Sequence, residues 1–342
     1  MIPRYRLAAG YEISRLIKGG WHLAGGHGAI DPGEAKRDMA RFAAAGMTCF
    51  DCADIYTGVE SLIGEFRTEY PELARSVRIH TKFVPDLDRL AEVDAAYVEG
   101  AIDRSLVRLR MERLDLVQFH WWDYGTPGHV EAALELDRLR RKGKIEHIGV
   151  TNFDVPHLHE IVAAGVPVSS HQLQYSLVDD RPLRRMVDYC ASQAIGLLCY
   201  GTVLGGFLSE RWLGVGEPRG QLANRSLTKY KLIIDDFGGW TRFQELLSVL
   251  ERIGARHQCD VATVATAAML DCRGVAAAIV GATNTAHLAA HVQLGSVQLT
   301  AADHEDIAVV TGRRAGPQGD VYTLERDREG RHGRIMKFNL NG

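Results

Sequence analysis

Residues 114–151 contain the β–α–β unit that decides the fold class. The stretch LDLVQFH at 114–120 predicts a buried strand, VEAALELDRLRRK at 130–142 an amphipathic helix, and IEHIGVT at 145–151 a second strand. A strand followed by a helix and another strand favours parallel pairing, with the helix packed outside the sheet.

The same alternation recurs along most of the chain. Eight such units close most economically into a (β/α)8 barrel, so the predicted class is α/β. A doubly wound open sheet is the alternative, but no Gly-x-Gly-x-x-Gly follows the first strand and opens a helix. The other predicted strands are 15–21, 48–51, 78–82, 168–173, 196–200 and 275–281, and the other helical stretches are 33–45, 93–110, 156–164 and 182–193.

Two segments depart from the regular spacing. About 75 residues lie between the last two predicted strands, and they include helical patterns at 240–257 and 261–270. This excursion is either a lid over the barrel mouth or a surface loop with an extra helix. We predict one barrel domain over residues 1–312 and a C-terminal extension over 313–342. The extension is either ordered on the barrel or mobile, and apolar side chains such as Tyr322 favour partial order.

The composition is that of an ordinary globular protein. The 342 residues include 40 Lys and Arg against 43 Asp and Glu, which gives a net charge of −3, and 46% are hydrophobic. This charge gives no reason to expect a nucleic-acid partner, and no apolar run of 18 residues predicts a membrane span. The N-terminus lacks the apolar core of a secretion signal, and the six scattered cysteines are expected to be reduced, which predicts a cytoplasmic protein. The histidines show no metal-ligand spacing, so no metal is expected.

Four ionisable side chains lie at or just beyond the ends of three consecutive predicted strands: Asp51, Tyr56, Lys82 and His120. Barrel enzymes carry their chemistry at these strand ends. A lysine ammonium favours the phenolate of a nearby tyrosine and lowers its pKa, which is ordinarily near about 10. An aspartate would hold the lysine, and a histidine could bind a substrate oxygen. Such a set could give a proton to a carbonyl oxygen or remove one from an alcohol.

Each of these residues also has a simpler explanation. An aspartate at a strand end is commonly a cap or turn residue, and a tyrosine a packing residue. A lysine there is commonly a solvated charge, and a histidine a hydrogen-bonded core residue. Their joint occurrence on consecutive strand ends is what favours a catalytic site.

The motifs that carry these residues resemble those of the aldo-keto reductase family. The resemblance runs in order from about residue 10 to residue 293, and it implies a (β/α)8 barrel that binds NADPH or NADH without a Rossmann domain. It also implies that Tyr56 is the general acid/base, tuned by Lys82 and Asp51. His120 would orient the carbonyl. The matching motifs are FDxADxY at 50–56, TK at 81–82, DLxQxHW at 115–121, IGVTNF at 148–153, Gln172, Tyr200 with Leu204-Gly205, and VGATN at 280–284.

The resemblance also implies a set of cofactor contacts. Thr151 and Asn152 stand where the family holds the nicotinamide carboxamide, and Tyr200 stands where an aromatic ring stacks on the nicotinamide. Gln172 matches a further contact, although His171 replaces the usual Asn beside it. The other implied contacts are Gly20, Trp21 and Asp51, then Gly201, Thr202, Leu204 and Gly205 in a pyrophosphate loop that lacks the usual Ser-Pro, and Gly281, Thr283, Asn284, His287 and His291 at the adenosine end.

The residues leave the choice between NADP(H) and NAD(H) open. Many members that prefer NADPH carry Arg or Lys near Thr283, because a 2′-phosphate favours a cation. Thr283 supplies one hydroxyl, although backbone amides at the following helix N-terminus could hold a phosphate. The family favours NADP(H) and this residue favours NAD(H), so our prediction leans slightly to NADP(H).

An aromatic rim is expected around a small-molecule carbonyl or alcohol substrate. Such a rim suits the apolar faces of sugars, steroids or aryl aldehydes. We therefore predict an NAD(P)-dependent oxidoreductase that transfers hydride between the nucleotide and an aldehyde, ketone or sugar, or the corresponding alcohol. The alternative is a cofactor-binding redox-sensing or partner subunit with little turnover. The implied pocket residues are Trp21, Ile55, Tyr56, Trp121 and Trp122, of which Ile55 and Trp122 fit simple packing equally well.

Overall fold

The computed structural model describes residues 1–25, 30–282 and 284–341. Within these ranges, eight strands close into a parallel barrel, which confirms the predicted (β/α)8 class. Two further strands form a separate hairpin before the barrel. In chain order, the strands are β1 (Arg4–Ala8), β2 (Tyr11–Ser14), β3 (Leu16–Gly19), β4 (Cys49–Asp51), β5 (Arg78–Phe83), β6 (Leu114–Phe119), β7 (Ile145–Thr151), β8 (Val168–Gln174), β9 (Gly196–Tyr200) and β10 (Val275–Gly281). Strands β3 to β9 pair in chain order, and β10 closes the barrel between β9 and β3.

Helices connect the barrel strands, as the alternation predicts. Their amphipathic sequences bury one face and leave charged side chains on the other. The α-helices of the described ranges, including three that follow the last barrel strand, are α1 (Pro32–Ala44), α2 (Val59–Glu69), α3 (Pro71–Ala74), α4 (Ala95–Leu109), α5 (His129–Arg141), α6 (Val155–Ala163), α7 (Met186–Ser192), α8 (Arg225–Phe237), α9 (Gly239–His257), α10 (Val261–Leu270), α11 (Leu288–Gln293), α12 (Ala301–Thr311) and α13 (Thr323–Arg326).

Three of the longer helices, α2, α8 and α12, were not predicted from the sequence. Helix α2 begins directly after Gly58, which has φ +77° and offers no side-chain cap, so the usual start signal is missing. Helix α8 begins inside the polar part of the excursion between β9 and β10, where Asn224 caps it by accepting from the Leu227 amide. The predicted helical patterns at 240–257 and 261–270 match α9 and α10.

The hairpin of β1 and β2 covers the amino-terminal end of the barrel. Leu7, Tyr11 and Ile13 are buried there against barrel side chains such as Leu116 and Leu198. The hairpin was not predicted, because strands of four and five residues are too short for their alternation to be distinctive. It fills the end of the barrel opposite to the one that carries the catalytic candidates.

Gly20 allows the ends of β3 and β4 to meet at the barrel mouth. Its backbone N–H donates to the carbonyl oxygen of Asp51 over 2.7 Å. A Cβ atom at this position would lie only 2.6 Å from that oxygen and 3.0 Å from Val59. A larger residue would therefore push the strand that carries Asp51 out of place.

The extension over residues 313–341 is ordered across the mouth of the barrel. Near its start, the Ala315 amide donates to the Phe237 carbonyl at the end of α8 over 3.0 Å. Near its end, the Phe338 carbonyl accepts from the Leu87 amide, in the loop after β5, over 3.1 Å. The extension therefore passes from one side of the open end to the other.

A buried ion-pair triad anchors the middle of this extension. The Arg181 guanidinium donates to the carboxylates of Asp179 and Glu325, with shortest distances of 2.7 and 2.9 Å, respectively. All three side chains are at most 1% exposed. A second pair, Arg185 with Asp320, joins the same two segments at 2.7 Å, but its arginine is 61% exposed.

None of the helices in the described ranges has both the length and the apolar character that crossing a bilayer requires. The same ranges contain no group of three or more His, Cys, Asp or Glu side chains arranged to hold a metal ion. The six cysteines are free thiols, and four of them are buried.

Candidate active site

Asp51 and Lys82 form a buried ion pair at the ends of β4 and β5. The Lys82 Nζ atom lies 2.6 Å from the Asp51 Oδ2 atom and also donates to the Cys52 carbonyl over 2.8 Å. Burial by itself favours the neutral amine, but the Asp51 carboxylate and the Tyr56 phenol outweigh it, so the pKa of Lys82 is raised above its ordinary value. Lys82 therefore remains an ammonium ion across the physiological pH range.

Two glutamines complete the support of the Asp51 carboxylate. Its Oδ1 atom accepts from the Gln118 side chain over 3.0 Å and from the Gln172 side chain over 2.6 Å. The Gln172 amide also donates to the Gln118 carbonyl oxygen over 3.1 Å. Sequence reasoning placed Gln172 in the cofactor site and gave Gln118 no role, although both are polar residues on predicted buried strands. Together they hold the carboxylate that positions Lys82.

Tyr56 lies directly beside the ammonium group. The Lys82 Nζ atom is 4.9 Å from the centre of the Tyr56 ring. Burial raises the pKa of the Tyr56 phenol and exceeds the lowering by Lys82, so the pKa is raised overall. The predicted influence of Lys82 is present, but in this environment the phenol stays protonated, as a proton donor must be.

His120 enters the same cavity as a neutral imidazole. Its Nδ1 atom lies 3.0 Å from the Thr151 carbonyl oxygen, which assigns the proton to Nδ1 because only a donor can bind a carbonyl. Burial lowers the pKa of His120 to about 3. The Nε2 atom is buried and has no protein partner among the described residues. It is therefore an acceptor, suited to a substrate hydroxyl rather than to a carbonyl oxygen.

Three buried histidines make the stability of the protein depend on pH. Burial lowers the pKa values of His80, His120 and His171 from 6.5 to about 3. Below pH 6.5 the unfolded chain binds protons that the folded chain does not, so stability falls as the pH falls toward 3. Each histidine should reduce the free energy of unfolding by about 2 kcal/mol between pH 7 and pH 5.

The variant His171→Asn tests this pH dependence because asparagine does not titrate. His171 accepts the Phe153 amide through Nε2 over 3.1 Å, and an asparagine oxygen can also accept. Urea denaturation measures the free energy of unfolding, which should fall between pH 7 and pH 5 in both proteins. We expect this fall to be smaller by about 2 kcal/mol in the variant than in the wild type. An equal fall in the free energy of unfolding of the wild type and the variant would contradict the assignment of a neutral His171.

A cavity of about 800 Å³ opens above these residues. Trp21 meets the Tyr56 ring edge-on at 5.2 Å between ring centres, and Trp122 meets the His120 ring at 4.3 Å. Both tryptophans line the cavity together with Ile55, as predicted. The cavity falls within the size range of small-molecule sites, which is about 300–1,000 Å³.

Trp121 does not line the cavity, so its prediction as a pocket residue is corrected. The side chain is fully buried beside Phe119, at 5.9 Å between ring centres. Its indole N–H donates to the carbonyl oxygens of Asp123 and Thr126 over 3.0 and 2.9 Å. These two hydrogen bonds hold the Trp121 indole in the loop after β6, and only Trp122 of the pair lines the cavity.

The predicted nicotinamide contacts come together in the same cavity as the candidate catalytic residues. Thr151, Asn152, Gln172 and Tyr200 all line the cavity. The Tyr200 hydroxyl donates to the Asn152 Oδ1 atom over 2.8 Å, which fixes the Tyr200 ring. Asn152 has φ +62°, a conformation that asparagine tolerates better than most residues. The ring and the amide are thus oriented before any ligand binds.

The predicted pyrophosphate loop follows β9 under the ring of Tyr230. Gly201 and Gly205 have φ +80° and +64°, and both line the cavity. A Cβ atom on Gly201 would lie 2.8 Å from the Tyr230 hydroxyl, so glycine is needed there for space as well as for conformation. Two other predicted cofactor contacts, Thr202 and Leu204, are fully buried and do not line the cavity. Gly20 does not line the cavity either.

The predicted adenosine end is formed after β10. Gly281, Asn284, His287 and His291 line the far part of the cavity. The Asn284 side chain accepts from the Ala286 amide over 3.0 Å and so caps the following turn. Thr283, which bears on the choice between NAD(H) and NADP(H), lies outside the described residues.

These residues fit a dinucleotide. One buried polar atom among the predicted cofactor contacts that line the cavity, His291 Nδ1, has no protein partner in the described ranges. Buried polar atoms normally have a partner, so a polar ligand in the cavity would satisfy it. Gly201, Gly205 and Tyr200 also line the cavity, and they offer backbone and aromatic surfaces to such a ligand.

Sequence reasoning missed Lys229 and Tyr322 as cavity residues. Lys229 comes from α8, and Tyr322 from the extension that crosses the mouth. The Tyr322 ring meets the His120 ring edge-on at 5.6 Å. The aromatic character of Tyr322 indicated an anchor of the extension, but nothing in the local sequence signalled that it reaches the catalytic group.

The comparisons with known proteins agree with this architecture. The model of the Aldo/keto reductase family matches residues 15–311. Aldo-keto reductase YhdN of Bacillus subtilis is 25% identical over 331 residues, which cover 94% of this chain and 97% of that protein. The NADH-specific methylglyoxal reductase of Escherichia coli is 23% identical over 318 residues, which cover 85% of this chain and 92% of that protein.

Flagellar radial spoke protein 5 of Chlamydomonas reinhardtii is a further relative, 27% identical over 257 residues. The match covers 64% of this chain and only 49% of that protein, so the chain spans about half its length. Among solved structures, the glycerol dehydrogenase AKR11B4 of Gluconobacter oxydans superposes with a TM-score of 0.77 at 21% identity, covering 93% of this chain and 97% of that one.

The family model extends from the first barrel strand to α12, and the matched range therefore includes every strand that carries a candidate catalytic residue. The relatives YhdN and methylglyoxal reductase match over nearly their whole lengths. The chain belongs to the aldo/keto reductase family of oxidoreductases.

Proposed function

We propose that the protein transfers hydride between NAD(P)H and the carbonyl carbon of an aldehyde, ketone or sugar, or in reverse from the corresponding alcohol. The observation that carries this proposal is the protonated Tyr56 phenol, which lies beside the Lys82 ammonium in a cavity large enough for a small molecule. A reduced nicotinamide, when bound, supplies the hydride. The protein itself must supply the proton.

Tyr56 donates that proton to the carbonyl oxygen as negative charge develops on it. The phenolate that remains is stabilised by the Lys82 ammonium, which Asp51 holds at 2.6 Å. His120 accepts a hydrogen bond from the hydroxyl of the product or from one beside the carbonyl, because its Nε2 atom carries no proton. Trp21 and Trp122 exclude water from the reacting oxygen.

The test is the absorbance of reduced nicotinamide during reaction with a panel of aldehydes, ketones and sugars. The assay is run with NADH and with NADPH, and in reverse with alcohols and the oxidised nucleotides. We expect consumption of at least one reduced nucleotide, and the ratio of kcat/KM values assigns the cofactor preference. No turnover with either nucleotide on any carbonyl class would contradict the proposal.

A second candidate function is a nucleotide-binding partner subunit with little turnover. The likeness to a radial spoke protein is the observation that favours it. It predicts tight nucleotide binding, no turnover on the same panel, and a stable complex with another protein. The complete set of Asp51, Tyr56, Lys82 and His120 in one cavity favours the enzyme.

A further inference from the structure

Lys229 presents a cation to the cavity without a carboxylate partner. Its Nζ atom lies 4.9, 5.8 and 5.9 Å from the ring centres of Tyr200, Tyr230 and Tyr322, respectively. Within the described ranges, no carboxylate oxygen comes within the 4.0 Å limit of an ion pair with it. Burial lowers the pKa of Lys229, since the ring faces replace only part of its lost hydration. A charge held in this way is suited to binding an anion.

The position of Lys229 relates this cation to the catalytic group. The centre of the Tyr322 ring lies 5.9 Å from Nζ and 5.6 Å from the centre of the His120 ring. Tyr322 is therefore a shared neighbour of the ammonium and of the catalytic imidazole. The predicted adenosine end, at Gly281 and His291, is formed by a different part of the barrel, whereas the predicted pyrophosphate loop packs against Tyr230. Lys229 and His120 line the same cavity, so a substrate that spans them would place its anionic group at Lys229 and its carbonyl at His120.

The nearest buried carboxylates are already committed. Asp179 and Glu325 attract Lys229 electrostatically, but both are bound to Arg181 at 2.7 and 2.9 Å. Asp51 is bound by Lys82 at 2.6 Å. The triad carries a net charge of −1, so one competing role for Lys229 is to balance that charge. The test below separates this role from ligand binding.

Other cavity residues favour an anion on this side. Arg225 and Lys337 also line the cavity, near the extension. The lining carboxylates Glu210 and Asp260 lie at the start of α10, where they accept the amides of that helix. Three cations, Lys229, Arg225 and Lys337, therefore line this part of the cavity against the net charge of −1 on the buried triad, and they favour anionic ligands.

We infer that Lys229 binds the carboxylate or phosphate group of the substrate, so that the site selects aldehydes and ketones that carry an anionic group. This inference rests on the proposed function for the reaction itself. It adds the chemical class of the substrate and the residue that recognises it.

The variant Lys229→Met tests the inference because methionine keeps the apolar stem and removes the charge. Lys231→Met is the matched control: it lies on the same helix, but it pairs with Glu217 and Asp235 and does not line the cavity. The substrates are 4-carboxybenzaldehyde and its neutral methyl ester. We expect KM for the acid to rise by about 10–100-fold in Lys229→Met, while KM for the ester stays within about 2-fold of the wild type. In Lys231→Met, KM for the acid and KM for the ester should both stay within about 2-fold of the wild type.

A binding measurement makes the result independent of turnover. The product alcohols, 4-(hydroxymethyl)benzoate and its methyl ester, cannot react with reduced nucleotide and can be titrated calorimetrically into the protein saturated with NADPH or NADH. We expect the wild type to bind the acid more tightly, and Lys229→Met to lose this preference. If the preference depends on Lys229 but no carbonyl is reduced, the proposed reaction fails while the inference stands.

Three results would overturn the inference. The wild type could bind the acid no more tightly than the ester. Lys229→Met could instead weaken NADPH and NADH binding and leave the acid-to-ester ratio unchanged, which would make a cofactor phosphate the anion. The variant could also lower the melting temperature without changing that ratio, which would assign Lys229 to balancing the buried triad.

Discussion

Replacing Tyr56 with phenylalanine should lower kcat by about 10²–10⁴-fold, the usual contribution of a positioned general acid. The phenol is the protonated group beside the Lys82 ammonium, and the variant keeps the ring that packs against Trp21. The fold and the nucleotide site should therefore be unchanged. The measurements are steady-state kinetics on the best substrate of the panel and quenching of tryptophan fluorescence by NAD(P)H.

Tyr97→Phe is the matched control for this variant. Tyr97 lies on α4, packs against Phe83 and does not line the cavity. Its loss of a hydroxyl should leave kcat within about 2-fold of the wild type, since surface changes of this kind rarely exceed about 0.5 kcal/mol. A Tyr56→Phe enzyme with wild-type kcat would exclude Tyr56 as the proton donor.

Replacing Arg181 with methionine should lower the free energy of unfolding by about 3–5 kcal/mol. The change leaves the carboxylates of Asp179 and Glu325 buried without a cation, at an exposure of at most 1%. Because Glu325 belongs to the extension, the segment that carries Tyr322 should also detach from the barrel mouth. Urea denaturation measures the first effect, and limited proteolysis of the extension measures the second.

The exposed pair of Arg185 with Asp320 provides the control, since it joins the same two segments. Arg185→Met should cost less than about 1 kcal/mol, because exposed ion pairs contribute little. Neutralising the whole triad, by Asp179→Asn, Arg181→Met and Glu325→Gln together, should recover much of the lost stability. An Arg181→Met protein as stable as Arg185→Met would contradict the importance of burial here.

The barrel strands and the four catalytic candidates could be predicted because each depends on a local pattern. Short apolar runs that alternate with amphipathic stretches predict parallel strands, and parallel strands bring their carboxyl ends to one edge. Asp51, Lys82 and His120 follow from that rule alone. Tyr56 lies five residues beyond its strand, so the rule places it less directly, and the family motif adds support for it.

The local patterns did not predict the direction of side chains beyond the strand ends. Both Trp121 and Trp122 were expected in the pocket, but only Trp122 lines it. The hydrogen bonds of the Trp121 indole to Asp123 and Thr126 are set by the path of the following loop. The pKa of the Tyr56 phenol likewise depends on how deeply the phenol is buried. The distance between Tyr56 and Lys82 along the sequence does not reveal that burial.

By itself, the sequence determined the barrel class and placed the four catalytic candidates at its mouth, because both rest on periodicity and spacing along the chain. Only the tertiary structure decided what surrounds the reacting group. Lys229 and Tyr322 meet there from α8 and the C-terminal extension, and Arg181 holds that extension in place. Such contacts depend on long-range packing and on the compensation of buried charge, and neither leaves a periodic pattern in the chain.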